Sequence, residues 1–317
     1  MAETTAQRKA PVADLGEATR EADSILRLTV RRFFKHRMAV FGMVLLGAII
    51  LFVVGGALFY TEAYANETDI LDKFAPPSAE HPFGTDQVGR DIFARCIYGG
   101  QLSLLIGVVS VAISVSLGTL VGLVAGYFGG WVDAILMRIV EALLAIPTLI
   151  LLLMLSKVLA GTTATVNFLG RELSASAIAI VLIIGLTGWM GLSRIVRSMV
   201  LSLKEQDFIQ AAQMIGARNG RILRMHVLPN CIAPIVVSAT LGVGQAIIIE
   251  AYLSFLGFGV MPPTATWGNI LNRAQEQIDQ VWWMWMAPGV LIILTVLAIN
   301  FIGDGLRDAL DPRMLKE

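Results

Sequence analysis

The sequence predicts an all-α protein that crosses a membrane with six helices. Three observations support this prediction. Hydrophobic residues make up 56% of the 317 residues and charged residues only 15%, too few charges to cover a soluble globule of this size. Six apolar segments are each long enough to cross a hydrocarbon core of about 30 Å. Basic residues are also concentrated in alternate segments between them, as the positive-inside rule requires.

The first 37 residues are predicted to be cytoplasmic. Residues 1–24 are rich in Ala, Thr, Glu and Arg and contain no apolar run, which is typical of a disordered tail without a signal peptide. Residues 25–37 mix Leu, Val and Phe with Arg and Lys. That mixture fits either a basic helix at the membrane surface or a basic flank that anchors the first span.

The six predicted spans follow in order along the chain. They cover residues 38–60, 102–127, 135–155, 175–193, 231–249 and 282–302. An extracytoplasmic loop, residues 61–101, precedes a five-helix core, residues 102–303, and residues 304–317 form a cytoplasmic tail. Near the start of the third span, Arg138 and Glu141 have the i,i+3 spacing at which opposite charges can pair on one helix face.

The charge distribution predicts that both termini are cytoplasmic. With that orientation, the cytoplasmic segments carry roughly three times as many Lys and Arg residues as the external loops. The external basic residues are Lys73, Arg90, Arg95, Arg171 and Arg273. Lys plus Arg and Asp plus Glu are both 24, so overall charge gives no indication of a nucleic-acid partner.

Small residues recur every fourth position in the second span. They are Ser110, Ser114, Gly118, Gly122 and Gly126. One interpretation is that this stripe lets another helix approach closely, and the other is that it lines a pore. Close packing is the favoured interpretation.

The spans lack the residue sets of a membrane-embedded enzyme or of a secondary transporter. No set of acidic, basic and nucleophilic side chains that could form an active site is evident within them. The three histidines lie at predicted membrane edges or in loops. No G-x-x-x-x-G-K-[ST] phosphate loop occurs, so the chain is not expected to bind ATP by that route. No cofactor bound by this chain itself is predicted. Glu250 is the main exception. It either lines the solute path as an outer gate or, as favoured, sits at a helix end where a neighbour or interfacial water satisfies it.

The long cytoplasmic loop, residues 202–230, contains the most informative pattern. Ser202 followed by Glu205 fits a capping box and predicts that a helix begins there. On that helix one face would carry Phe208, Ala211, Ala212 and Ile215, and Gly216 would end it in a left-handed cap. A second short helix, residues 221–228, is predicted to stop at Pro229.

The run Ala211-Ala212, Gly216 and His226-Val227-Leu228-Pro229 resembles the EAA loop of the permease subunits of bacterial ABC importers. In that family the loop is the coupling helix, which sits in a cleft of the ATPase subunit. The resemblance implies that the ATPase-coupling residues are Phe208, Gln210, Ala211, Ala212, Ile215, Gly216 and Pro229. Gln210 stands where the general motif has Glu.

Further motifs extend the resemblance over nearly the whole chain. They lie at residues 81–86, 89–91, 253–259, 262–263, 267–268, 303–308 and 311–312. These motifs are similar to the C-type permease of the dipeptide, oligopeptide and nickel importer family. The resemblance implies the type I ABC importer permease fold and a place in the bacterial inner membrane.

The same resemblance implies the partners. They would be a second related permease, two ATPase subunits that bind ATP and Mg²⁺, and an extracytoplasmic solute-binding protein. Peptides are the expected cargo, with nickel chelates or other small solutes as the alternative. A transporter acting alone and a membrane-embedded enzyme are the rival functions, and neither has a sequence feature in its favour.

His81, Asp86 and Asp91 could form an external metal site, since imidazole and carboxylate groups are suitable ligands. Pro82, Gly84 and Gly89 instead indicate turns in a structured loop. A docking surface for an extracellular partner is therefore the favoured interpretation.

Overall fold

A computed structural model of the chain describes residues 25–159, 165–168 and 171–311. The predicted tail, residues 1–24, lies outside the described residues, as do residues 312–317. The helices, in chain order, are α1 (Ile25–Lys35), α2 (Arg37–Gly55), α3 (Glu62–Asn66), α4 (Ile92–Phe128), α5 (Gly130–Leu144), α6 (Thr148–Leu159), α7 (Ala175–Lys204), α8 (Asp207–Met214), α9 (Asn219–Ile222), α10 (Leu228–Phe255), α11 (Trp267–Ala274) and α12 (Trp282–Leu310). A π-helical turn, Leu223–Val227, joins α9 to α10, and short 3-10 turns cover Gly56–Leu58, Ile70–Asp72 and Gln275–Gln277.

The predicted all-α membrane fold is confirmed in its main features. Five helical segments are long and apolar enough to cross a membrane, and a sixth is added if the bent pair α5 and α6 counts as one span. The five segments are Arg37–Leu58, Ile92–Phe128, Ala175–Lys204, Asn219–Phe255 and Trp282–Leu310. We call the end of the bundle that carries α8 the inner end and the end that carries α11 the outer end, following the predicted orientation.

The third span is not the continuous helix predicted for residues 135–155. α5 and α6 are separated by a break at residues 145–147 and turn through 86°. Pro147 explains the break, because it has no N–H to donate and because the residue before a proline is disfavoured in the helical conformation. An apolar run alone does not reveal such a bend.

The second span begins ten residues earlier than predicted, at Ile92 rather than residue 102. The Asp91 carboxylate caps α4 by accepting a hydrogen bond from the Ala94 N–H at 2.7 Å. α4 has 37 residues and is about 55 Å long, so it projects beyond the hydrocarbon core. The predicted boundaries at residues 101/102 and 303/304 therefore fall inside helices rather than between them.

The predicted capping box at Ser202 is wrong. α7 continues through this position to Lys204, and the Ser202 hydroxyl donates back to the Ser198 carbonyl at 3.3 Å. Glu205 is the C-cap of α7 rather than part of an N-terminal cap. The span helix extends past its apolar segment, so a local cap pattern does not mark a new helix here.

The predicted stop at Pro229 is also wrong, because Pro229 lies in the first turn of α10 and the chain stays helical through it. The π-helical turn makes this possible. The Leu228 N–H bonds to the Leu223 carbonyl five residues back, so the hydrogen-bond register has shifted before the proline ring enters the helix.

Close packing of α4 against α7 confirms the favoured interpretation for the glycines of the small-residue stripe. A Cβ at Gly118 would lie 2.7 Å from the Trp189 carbonyl oxygen, and one at Gly122 would lie 2.6 Å from the Ser193 carbonyl oxygen. A Cβ at Gly126 would lie 2.7 Å from the Val200 Cβ. Only glycine allows the two helices to approach this closely.

A two-stranded β-hairpin between α6 and α7 was not predicted. β1 (Thr165–Phe168) pairs antiparallel with β2 (Arg171–Ser174), with Thr165 opposite Ser174. Ser174 then caps α7, since its hydroxyl accepts from the Ala177 N–H.

Candidate functional site

The predicted coupling segment contains a short helix, α8, that rests on a hydrophobic cluster. Its inward face consists of Ile209 and Ala212, both buried. The other buried members of the cluster come from five surrounding elements: Tyr127, Leu192, Val196, Val200, Ile222, Val227 and Cys231. Ala212 was predicted on the same exposed face as Ala211. It instead packs inward, because it lies three residues after Ile209 on the buried side of the helix.

The outward face of α8 and the residue that follows it expose apolar side chains. Met214 is 85% exposed and Ile215 is 86% exposed, and Phe208 and Ala211 are also exposed. Gln210 is exposed as well, and its amide donates to the Glu205 carbonyl at 3.3 Å. Met214 was not among the predicted contact residues, although its spacing of three residues from Ala211 places it on this face. Exposed apolar patches of this kind mark contact sites for partners.

Gly216 ends α8 in the predicted left-handed cap. Its φ is +78°, and the following Ala217 N–H bonds to the Ala212 carbonyl at 3.1 Å. A Cβ at Gly216 would meet no atom within 4 Å. The backbone conformation, not the available space, is therefore what favours glycine here. Pro229 is exposed but lies on α10, apart from the α8 face.

Side-chain contacts link the α8 region to the long helices. The Tyr127 hydroxyl, at the inner end of α4, donates to Asn219 Oδ1 at 3.0 Å. Lys204 at the end of α7 places its Nζ 5.9 Å from the centre of the Tyr127 ring, within the range of a cation–π contact. Packed side chains and these two contacts thus connect the α8 region to α4, α7 and α10.

A groove of about 580 Å³ lies among α4, α6, α7, α10 and α12. Its polar lining residues are uncharged: Ser110, Ser114, Thr148, Thr187, Ser238, Gln245 and Asn300. The other lining residues are apolar or glycine, so none of the described residues that line this groove is ionisable. Ser114 therefore departs from the packing role of the glycines in the same stripe.

A second cavity of about 530 Å³ continues the groove toward the inner end of α7. The two cavities share Gly191 and Ile195 as lining residues. Charged groups occur only in this second cavity, which Glu141, Arg194 and Arg197 line. Arg197 is held by Asp133 through a bidentate pair, with Nε–Oδ1 at 2.5 Å and Nη2–Oδ2 at 2.6 Å.

Glu250 lies inside the protein and not at the predicted helix end. α10 continues to Phe255, and the Glu250 side chain is fully buried. Its carboxylate accepts from the Ser103 hydroxyl at 3.0 Å and from the Ser254 hydroxyl at 2.8 Å. The carboxylate is thus satisfied by neighbours, and Glu250 does not line the groove. Its role as an outer gate stays a prediction.

The Glu250 site belongs to a network that ties α11 to α4. The Trp267 N–H donates to the Ser103 hydroxyl at 3.3 Å, and the Trp267 indole N–H donates to the Cys96 carbonyl at 2.9 Å. Trp267 is the largest fully buried side chain among the described residues. The outer end is therefore held by buried polar contacts as well as by apolar packing.

The three residues considered as a metal site separate into two pairs. His81 Nδ1 lies 2.8 Å from Asp91 Oδ2, whereas Asp86 Oδ2 accepts from Arg90 Nε at 2.7 Å. Among the residues that the structure describes, no group of three or more His, Cys, Asp or Glu is placed to hold a metal ion. Burial lowers the pKa of His81, but the contacts and charges of Asp91 and Asp72 outweigh it and raise that pKa above its ordinary value.

The motif at residues 84–91 was expected to form a docking surface, but most of its polar side chains are buried. Thr85, Asp86, Arg90 and Asp91 are all buried and hold the loop together. The exposed part of the same loop lies just before them, where Ile70 is 80% and Leu71 is 94% exposed. Sequence analysis did not identify this apolar pair.

Two known protein families match this chain, each over a different part of it. Residues 118–316 match the family described as the binding-protein-dependent transport system inner membrane component. Residues 24–77 match the N-terminal TM domain of oligopeptide transport permease C.

Curated relatives cover nearly the full length. A putative peptide permease protein of Brucella suis is 42% identical over 302 residues, 94% of this chain and 95% of the relative. The dipeptide transport system permease protein DppC of Alkalihalophilus pseudofirmus is 42% identical over 289 residues, 91% of this chain and 90% of the relative. A putative peptide transport system permease protein of Brucella abortus is 40% identical over 291 residues, 92% and 93% of the two chains.

Proposed function

The chain belongs to the inner-membrane permease family of binding-protein-dependent ABC importers, with the type I permease fold, and on that premise we propose that it forms half of the solute path of a peptide importer. It is a multi-pass inner-membrane protein. Partners of such a permease include ATPase subunits and a solute-binding protein. The finer proposal is a complex of this chain, a second related permease, two ATPase subunits and one solute-binding protein. Peptides are proposed as the cargo because the relatives are named as peptide or dipeptide permeases.

The observation that supports this function best is the apolar outer surface of α8. Phe208, Met214 and Ile215 are exposed on a loop whose inward side is firmly packed. A face of this kind gains free energy when a partner covers it. We therefore assign the contact with the ATPase to Phe208, Gln210, Ala211, Met214 and Ile215, with Ala212 and Gly216 shaping the helix from within.

Coupling then follows from the mechanical connection of α8. ATP with Mg²⁺ binds to and is hydrolysed on the ATPase subunits, while this chain carries the resulting movement. The hydrophobic cluster and the contact between Tyr127 and Asn219 pass that movement to the long helices that border the groove. The groove would thereby alternate between inward and outward access.

The outer loop supplies the proposed contact for the solute-binding protein. Ile70 and Leu71 form an exposed apolar pair, which we call the knob, on the same loop as the buried residues of segment 84–91, which we call the scaffold. That scaffold fixes the position of the knob relative to α4, since Asp91 caps that helix. Leu71→Asp should weaken docking of the binding protein at least tenfold while the chain remains folded, because the side chain has almost no contacts of its own to lose.

Site-directed cross-linking within the assembled importer tests the coupling surface. Ile215→Cys should cross-link to an ATPase subunit in gently solubilised membranes, and mass spectrometry should identify that subunit by its phosphate loop. Ile209→Cys is the matched control, because Ile209 lies six residues away with its side chain fully buried. Equal cross-linking at both positions, or none at Ile215, would contradict the proposed surface.

Uptake measurements test the function and its rivals. The importer, reconstituted with its ATPases and binding protein, should accumulate radiolabelled dialanine only with ATP. Uptake of a nickel chelate in place of the peptide would move the assignment to the alternative cargo. Solute movement by this chain alone without ATP would establish a standalone transporter, and turnover of a substrate by the purified chain would establish an enzyme.

A further inference from the structure

We propose that the groove carries polar solutes past neutral hydrogen-bonding side chains, chiefly Gln245 and Asn300, and for that reason does not discriminate among peptides by net charge. This inference deepens the proposed function and rests on it. It assigns residues to the path and assigns a chemical class to the solute, namely small molecules rich in amide donors and acceptors.

Gln245 is the first observation. It lies within an apolar segment long enough to span the membrane, yet its side chain is exposed and lines the groove. Within the described part of the chain it has no hydrogen-bond partner. An amide that faced lipid in this state would cost several kcal/mol, so the position must face water, a solute or the second permease.

Asn300 repeats the pattern on a neighbouring helix. It lies within the span formed by α12, is exposed, lines the same groove and has no hydrogen-bond partner among the described residues. Ser238 precedes Gln245 by seven residues and therefore lies on the same face of α10. Two helices thus present polar groups to one space.

The groove residues contributed by α4 and α7 include small, uncharged side chains. Ser114 on α4 and Thr187 on α7 line the groove, and Gly188 lies beside them. A Cβ at Gly188 would come within 2.8 Å of the Ser114 hydroxyl oxygen, so a larger residue there would narrow the groove. The Thr187 hydroxyl donates to the Ile183 carbonyl at 2.7 Å and keeps its acceptor capacity free.

The absence of charge on these walls has a physical consequence. A fixed charge in a space of low dielectric would retain a solute of opposite charge and repel one of like charge. An amide both donates and accepts, so it can pair with the backbone carbonyl and N–H groups of any peptide. Among the described lining residues, charged side chains occur in the adjoining cavity near the inner end and not in the groove.

Uptake of matched dipeptides tests the proposal in the reconstituted importer. The probes are Ala-Gln, Ala-Glu and Ala-Lys at saturating concentration, and the wild-type rates should agree within about threefold, because no wall charge distinguishes them. Gln245→Glu should slow Ala-Glu about tenfold relative to Ala-Lys, and Gln245→Lys should reverse the preference. Ratios within about twofold of wild type in both variants would overturn the proposal.

Gln280 provides the matched control, because it is exposed on an external turn and does not line the groove. Gln280→Glu and Gln280→Lys should leave the rate ratios unchanged. A preference that changed equally at Gln280 would show that charge acts outside the groove, and would also overturn the proposal.

A labelling measurement keeps the test independent of cargo and of charge-induced misfolding. Gln245→Cys in the assembled importer should react with an anionic and a cationic methanethiosulfonate at rates within about threefold of each other. Native Cys96 and Cys231 are both fully buried, so labelling reports on position 245. Absence of labelling would show that the second permease covers this wall and would overturn the proposal. If the wild-type importer carries no peptide, the peptide assignment fails, whereas the labelling result still decides whether the groove is an open path.

Discussion

Two helices of eight residues, α8 at the inner end and α11 at the outer end, are held in opposite ways. α11 begins with a capping box in which Thr266 and Asn269 exchange hydrogen bonds, each at 3.1 Å. Gln206 precedes α8 as its N-cap residue but makes no side-chain cap hydrogen bond. Trp267 of α11 is fully buried, whereas most side chains of α8 are exposed. One helix is stabilised by its own chain, and the other leaves its outer surface for a partner.

The same contrast extends to the surroundings of the two helices. At the outer end, polar groups are paired and buried, as in the contacts of Glu250 and of Asp86 with Arg90. Around α8, apolar side chains such as Ile215 face solvent. The outer end is therefore stabilised by contacts within this chain, whereas the inner end is expected to gain stability when partner subunits bind.

The largest expected effect is on the outer helix. Trp267→Ala should lower the free energy of unfolding by about 3–5 kcal/mol, because it creates a cavity and removes the bond to the Cys96 carbonyl. The measurement is equilibrium unfolding with dodecyl sulfate in mixed micelles, followed by circular dichroism. Trp131→Ala is the control. Trp131 is exposed on α5, so its loss should change the value by less than about 0.5 kcal/mol. Similar losses in both variants would remove the contrast.

A cap deletion should have the next largest effect. Thr266→Ala removes the acceptor for the Asn269 N–H in a buried site, and it should cost about 1–2 kcal/mol in the same unfolding assay. Thr266→Ser keeps the hydroxyl and should restore most of that loss. If the serine variant were as unstable as the alanine variant, the lost methyl group rather than the cap would explain the effect.

The converse change at the inner helix should give a smaller gain. Gln206 has the extended backbone of an N-cap, with φ at −77° and ψ at 143°. Gln206→Asn supplies a shorter amide that reaches the first-turn N–H groups and should stabilise α8 by about 0.5–1 kcal/mol. Slower hydrogen exchange of the α8 amides would report this gain, and unchanged exchange would contradict it.

The smallest expected effect is a pH dependence at the outer loop. The pKa of His81 is raised, so its contacts with Asp91 and Asp72 contribute full stability below its ordinary value of about 6.5. That contribution is lost as pH rises through the raised value. Wild type should therefore lose stability relative to His81→Asn across this range, and parallel pH curves for the two proteins would contradict the assignment.

Sequence analysis predicted the spans because apolar runs reflect the bilayer directly. It could not predict where helices extend beyond the bilayer, since α4 begins in a polar segment at Ile92 and α7 continues through Ser202. The bend at Pro147 was also not predicted, because the predicted span ran through both halves of the bent pair without interruption. The family motifs identified the fold more surely than periodicity did.

The candidate site was predicted only in part, for a related reason. Helical periodicity placed Phe208, Ala211 and Ile215 together, but the side on which Ala212 lies depends on the cluster formed by distant helices. Gln245 was not predicted as a site residue, because a single amide within a span does not indicate a site. Only the structure shows that Gln245 and Asn300 line the same groove.

The bend between α5 and α6 has a consequence for how the chain is made. These helices have 15 and 12 residues, and each is shorter than the roughly 20 residues that a helix needs to cross a bilayer. Neither half can therefore leave the insertion machinery as an independent span. The pair therefore has to enter the bilayer as one unit, and Arg197 of α7 can engage Asp133 of α5 only after α7 has followed it.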